Sequence, residues 1–291
     1  MGKWRYRFVS CLVVVFLAAA AIGPRAEVSA DTQNEVILLV LGITEGPDPI
    51  PQVIWSPVRD VDEELFLNPD GGNRDDGRPD AAFHPDTGWP HVVWAYDEGT
   101  HHDIAISAWI GEVWSDIKKR SAPGTDDVAP RVSVSDAGTV YVAWGTVELS
   151  HVWMSTFVPE TSTWGDAERV TGLLGTGRRP SILEWEGTVL VAYERDSTRL
   201  GQEVVVATRV GPGVYTEEIV ATTAGNSPLD VILHDEQGVL WIDWRHSDSE
   251  YAYSIYSANA WSPLVTLPWT GDSWTRVEEV REAIRQIVLS Q

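Results

Sequence analysis

The sequence predicts an all-β fold: a β-propeller of four-stranded antiparallel blades, four of them clear and a fifth incomplete, followed by a C-terminal α-helix. Three observations carry this. A strand-turn-strand unit recurs at a period near 50 residues, each copy places an aromatic in the same phase, and each copy has polar loops at matching positions.

The period is marked by Pro79, Pro130, Pro180 and Pro228, spaced by 51, 50 and 48 residues. After each proline come a strand, a glycine turn and a second, apolar strand ending at Trp94, Trp144, Tyr193 and Trp244 in turn. These second strands, such as Val140-Tyr141-Val142-Ala143 and Val189-Leu190-Val191-Ala192, are short β-branched and aromatic runs bounded by turn residues. Third strands are expected over Asp103 to Ala108, His151 to Thr156, Glu203 to Thr208 and Tyr251 to Tyr256, where apolar and polar residues alternate. Fourth strands are expected to begin at Trp114, Trp164, Tyr215 and Trp261. A sandwich would also contain many short strands, but it gives no reason for the fixed phase from proline to aromatic.

The ends read differently. Lys3, Arg5 and Arg7 precede an apolar stretch from Phe8 to Ile22, with small residues Ser29 and Ala30 before Asp31, the layout of a secretory signal peptide over residues 1–30. That stretch is shorter than the roughly 20 residues a spanning helix needs, so no membrane insertion is expected after cleavage. Residues 31–75 are read as the incomplete blade and a linker, with Glu35 to Leu41 and Gln52 to Trp55 as its strands. Residues 76–270 hold the repeats. Residues 271–291 are read as an amphipathic helix: Thr275 and Glu278 have capping-box spacing, and Val277, Val280, Ile284, Ile287 and Val288 fall at helical spacing. That helix is expected to cover an edge left by the missing strand.

Composition narrows the function. Cleavage removes the only cysteine, so a secreted, mature chain relies on its core rather than on disulfides. It also takes the net charge from −22 to −25, which repels nucleic acid and anionic membranes. Lysine is then reduced to Lys118 and Lys119, leaving arginine as the main cation for gripping an anion. No phosphate loop, dinucleotide fingerprint, zincin helix or nucleophile elbow is present, so no cofactor is expected. No metal site is expected either. Asp70 to Asp80 misses the calcium-loop spacing, and the adjacent His101, His102 and Asp103 diverge on a strand.

In the first repeat Ser107, Gly111 and Trp114 match the hairpin motif Ser-x-Asp-x-Gly-x-x-Trp, with Trp109 at the Asp position, and the second repeat keeps Ser155 and Thr163-Trp164. In this the chain resembles the sialidase-like superfamily, whose blades carry that Asp box, or BNR repeat. The resemblance spans residues 79–268 and implies a fold, since the box is a structural turn on the face away from the active site. A further run, Arg178-Arg179-Pro180 through Glu194-Arg195-Asp196, is similar to the sialidase segment in which Arg-Ile-Pro opens a strand and an acidic-Arg pair ends the next. The resemblance implies that Arg178, or Arg179 beside it, clamps a sugar carboxylate, and that Asp196 falls near the acid/base aspartate. Arg179 replaces the usual Ile, and no Tyr and Glu nucleophile pair can be assigned.

In a propeller, the loops between blades and between second and third strands gather at one mouth. Those loops carry Asp97, Glu98, His101, His102 and Asp103; Glu148 and His151; Glu194, Arg195, Asp196 and Arg199; and Arg245, His246, Asp248 and Glu250. Arg74, Asp75, Asp76 and Arg78 precede the first repeat. Asp196, Glu194 and Asp97 are therefore the candidate catalytic acids, and Arg178, Arg179, Arg195, Arg245, Arg78 and His246 the candidate sugar-binding residues. Trp89, Tyr96 and Trp153 are candidate stacking platforms. The reading is a secreted, monomeric, carbohydrate-binding propeller, with hydrolysis of extracellular glycans open. The alternative is a non-catalytic protein-interaction or cell-surface module. Convergence of Arg178 or Arg179, Arg195, Arg245 and an acidic side chain in one pocket would favour an enzyme for acidic sugars; dispersed arginines with exposed aromatics would favour lectin-like binding.

Overall fold

In the computed structural model the described residues are 77–290, apart from 112, 123–124, 148–149, 173–174, 198–200, 224–229, 248 and 269–273. The expected leader and the expected incomplete blade lie outside them.

Among the described residues four antiparallel sheets follow one another in sequence, and they are the blades of a propeller. Blade one is β1 (Gly77–Phe83), β2 (Pro90–Asp97), β3 (His102–Ala108) and β4 (Lys118–Arg120). Blade two is β5 (Asp127–Val134), β6 (Val140–Thr146) and β7 (Val152–Val158), with its outer strand split into β8 (Thr163–Trp164) and β9 (Glu168–Arg169). Blade three is β10 (Arg178–Trp185), β11 (Thr188–Ser197), β12 (Gly201–Gly211) and β13 (Val214–Thr223). Blade four is β14 (Ile232–Glu236), β15 (Val239–Arg245) and β16 (Glu250–Ser257), with outer pieces β17 (Ala260–Trp261) and β18 (Val265–Pro268). The inner strands β1, β5, β10 and β14 pack side by side in that order, as they must when blades turn about an axis.

The phase of the repeat has a structural cause. In blades one to three the register between first and second strands slips by one residue, between Gly77 and Asp80, Val128 and Arg131, and Arg178 and Ser181. The bulge residues Ala129 and Arg179 have φ of 51° and 49°, as does Asp230 at 47° in the equivalent place before β14. Pro130 and Pro180 come next. Ile232 pairs with Asp243 as Ser181 pairs with Ala192, so blade four fills the proline position with Val231. The expected marker Pro228 is three residues early and lies outside the described residues, a misalignment made possible because the local sequence around it is equally turn-like.

The aromatics near the ends of the second strands are the wedges between blades. Trp144 packs with Val93 and Ile104 of blade one, Tyr193 with Ala143 and Met154 of blade two, and Trp244 with Leu183 and Val206 of blade three. Each is wholly buried, which makes each worth about 3–5 kcal/mol against truncation to alanine. Polar contacts fix the stacking: Asp80 Oδ2 accepts the backbone N–H of Val132 at 2.9 Å, and Ser181 Oγ accepts that of Leu233 at 3.0 Å.

The serine of the hairpin motif also has a physical role. Ser107, Ser155 and Ser254 are buried on third strands, and each donates its hydroxyl to a backbone carbonyl just past the hairpin aromatic. The acceptors are Ser115 at 2.9 Å, Gly165 at 3.0 Å and Ser262 at 2.8 Å. A buried hydroxyl needs such a partner, and here it staples the hairpin. The third serine was not singled out in the sequence, because its hairpin keeps only the Ser and the Trp.

Helix α1 (Trp274–Leu289) begins one residue before Thr275, so the expected cap residue lies inside its first turn. It packs on the face of blade four rather than along a strand edge, through Val277, Val280, Ile284, Val288 and Leu289 against Trp241, Tyr251 and Tyr253. Ile287, expected on the same stripe, is exposed, because it stands about 100° around the helix from Val288.

Candidate functional site

The ends of β2, β6, β11 and β15 and the starts of β5 and β10 share one face of the ring. At its blade-three sector the β10–β11 register sets Arg178 opposite Glu194. Neighbouring strand residues normally point to opposite faces. The bulge at Arg179 removes that restriction, so two consecutive arginines reach the same carboxylate. Arg178 Nε forms an ion pair with Glu194 Oε1 at 3.0 Å, and Arg179 donates an Nη1 proton to the same oxygen. Glu194 has no solvent exposure, whereas Arg178 is 40% and Arg179 33% exposed. Arg178 also bonds Asp196, which is 58% exposed at the end of β11. Two partly wet guanidinium groups are thus held at the mouth by one buried carboxylate and one exposed one.

The other expected residues divide. Arg195 lies between Glu194 and Asp196 on β11 and therefore faces the other way, binding Glu203 and Glu217 at 2.8 and 2.7 Å. Burial opposes its charge, but those two carboxylates outweigh it and hold the guanidinium charged. It does not join Arg178 and Arg179. Arg245 is on blade four, its Nε donating to the Ser247 carbonyl at 3.4 Å, and the buried ring Nδ1 of His246 has no hydrogen-bond partner among the described residues. Asp97 accepts the backbone N–H of Gly99 at 2.5 Å, a turn-forming contact. Arg78 belongs to β1, with its side chain outside the described ones, as are Arg74, Asp75, Asp76, Glu148, Arg199 and Asp248.

Of the three proposed aromatic platforms, Tyr96 and Trp89 offer no stacking surface at the mouth. Tyr96 is 3% exposed, with Lys119 Nζ 3.5 Å above its ring. Trp89 sits in the β1–β2 turn, at the opposite end of the blade, and Trp153 is half-buried against the core between blades one and two.

Two polar groupings were missed by sequence reasoning. Next to the mouth, the buried Asp127 accepts the Ala122 N–H at 2.7 Å and the Thr125 hydroxyl at 2.8 Å. Burial pushes its carboxyl up to about 7, aided by the charge of Asp103 and opposed by those two bonds. Beside it His102 offers both its N–H and its ring Nδ1 to Asp126 across the blade boundary. On the axis, Arg131 of β5 approaches Asp80 of β1 at 3.5 Å and Asp230 at 3.8 Å. Asp230 is bound in turn by Arg281, which also holds the buried Asp243, itself bonded to His234 at 2.5 Å. Burial raises the Asp80 carboxyl against the pull of Arg131. Asp243 is lowered, because His234 and Arg281 overcome its burial. Complementary charges at equivalent repeat positions, Pro79-Asp80 and Pro130-Arg131, were the available signal. Among the described residues, no three His, Cys, Asp or Glu side chains gather as a cation site requires.

No family model matches the chain. No curated protein matches it. Among solved structures it is similar to a thermostable family-43 glycoside hydrolase, at 9% identity over 68% of this chain and 77% of that one, TM-score 0.47. It is also similar to an α-L-arabinofuranosidase from Clostridium thermocellum ATCC 27405, at 11% identity over 65% and 72% of the two chains, TM-score 0.45. An endo-arabinanase from Bacillus licheniformis aligns at 14% identity over 67% and 73%, TM-score 0.37. At these identities and superposition scores the likeness decides neither activity nor substrate.

Proposed function

We propose that this chain is an extracellular carbohydrate-binding propeller that takes an acidic sugar at the mouth of its third blade, and that it binds without cleaving. The observation that carries the reading is the pair Arg178 and Arg179, both partly exposed and both anchored on the wholly buried Glu194. A guanidinium fork with unspent N–H donors is suited to a sugar carboxylate. The layout of residues 1–30 as a leader supports an extracellular location.

The same geometry argues against a sialidase-like reaction. Glu194 is enclosed by two arginines and cannot trade a proton with a sugar, Asp97 is engaged in its turn, and Arg195 faces away from Arg178. Binding to a glycan array, run beside release of a fluorogenic glycoside, tests the reading. Retention of acidic glycans that is lost in Arg178→Ala, with no turnover, is expected. Turnover by the wild type would overturn the non-catalytic part, and absence of acidic glycans among the retained ones would overturn the site.

A further inference from the structure

Resting on that reading, we infer that Asp196 is a built-in competitor for the sugar-binding guanidinium, so that it tempers the affinity of the mouth for anionic ligands. The two carboxylates on Arg178 differ in kind. Glu194 is inaccessible and fixed between two arginines, so it is a permanent counter-charge. Asp196 is 58% exposed, stands next to the last residue of β11 and has Arg178 as its ion-pair partner. With both carboxylates in place the group of Arg178, Arg179, Glu194 and Asp196 is neutral. When Asp196 swings into solvent the group carries one net positive charge, open toward water.

The balance of energies favours exchange. Breaking a buried pair such as Arg179 with Glu194 strands a charge out of water, whereas an exposed pair such as Arg178 with Asp196 contributes little. A ligand carboxylate can therefore replace Asp196 at small cost and inherit its hydrogen bond. A neutral sugar brings no charge to take over that position, and it leaves Asp196 where it is. Asp196 then acts as a brake: every anion that takes over Arg178 must first displace it, so Asp196 weakens anion binding and leaves the binding of neutral sugars as it is. This role differs from proton transfer, for which a solvent-exposed aspartate already bound to an arginine is poorly placed.

The test compares methyl glucuronide with methyl glucoside by titration calorimetry on the full chain, in wild type, Asp196→Asn and Arg178→Ala. Competition predicts that Asp196→Asn binds the glucuronide about two- to fivefold more tightly, the range expected for release of one exposed ion pair. Glucoside binding should not change, and Arg178→Ala should lose the glucuronide. If wild type binds the glucuronide through Arg178 but Asp196→Asn binds it equally or more weakly, the competitor role is overturned and the binding reading survives. If neither wild type nor Asp196→Asn binds the glucuronide, both are overturned. Asp196 is exposed at a strand end, so the substitution does not put the fold at issue.

Discussion

Arg281 of the C-terminal helix donates its Nε to the buried Asp243 of blade four at 3.2 Å, so the helix is tied to the ring by charge as well as by its apolar stripe. The same guanidinium binds Asp230, which faces Arg131 of blade two. One side chain therefore links α1 to a chain of contacts that crosses the propeller axis.

Replacing Arg281 by Ala should cost stability well beyond a surface substitution. Asp243 is 1% exposed and would keep only His234 as its counter-charge. A loss of about 3 kcal/mol is expected, read as a lower urea midpoint with little change in slope. Arg281→Ala combined with Asp243→Asn should recover part of it, because the stranded charge is then gone.

Glu194→Gln should act first on stability. The amide keeps the shape but removes the charge that two arginines share. A loss on the order of 2 kcal/mol is expected, seen in thermal melts with no ligand present. An unchanged melting temperature would mean that Glu194 is not the anchor described.

Gly177→Ala should be more damaging than Gly187→Ala. A β-carbon on Gly177 would stand 2.7 Å from Tyr193 Cδ2 and 2.8 Å from Thr171 Cγ2, inside the wedge between blades two and three. Overpacking there should cost about 1–3 kcal/mol. Gly187 has φ +80° and open space around it, so its cost is backbone strain alone, about 1 kcal/mol. Side-by-side chemical denaturation should separate the two.

The pH dependence of stability should show two opposed slopes. Burial holds the His91 imidazole down to about 4, so the unfolded chain binds a proton between pH 6.5 and 4 that the folded chain refuses. Stability from that residue falls as the pH drops through this window, by on the order of 3 kcal/mol. Asp127 works the other way. Its carboxyl stays protonated in the fold up to about 7 but ionises near 4 when unfolded, so its contribution falls as the pH rises from 4 to 7. The two should largely cancel between pH 4 and 6.5 in the wild type. Asp127→Asn should expose the His91 slope, with urea midpoints dropping toward acid; a flat profile in that variant would contradict the buried neutral histidine.

Much of the blade was legible from local pattern. The second strands fall where the aromatic phase put them but run one to four residues past Trp94, Trp144, Tyr193 and Trp244, so that Asp97, Glu194, Arg195, Asp196 and Arg245 lie on strands and not in loops, and the third strands match within a few residues. Side-chain alternation along a strand is a local property, so it is written in consecutive residues. The outer strands were less readable. Three of the four are short or split, whereas β13 runs for 10 residues, and nothing in their leading aromatics distinguishes them.

The sequence by itself determined the repeating sheet unit, its turns and the polar character of one set of loops, because these follow from periodicity, proline and glycine within a few residues of each other. Tertiary structure alone decided that Arg178 and Arg179 meet on Glu194 while Arg195 turns away, that Arg131 crosses to Asp230, and that α1 lies on a sheet face. Those outcomes depend on a one-residue bulge and on which blades face each other. A slip of one residue reverses the direction of a side chain, and no local pattern records which distant charge it will find.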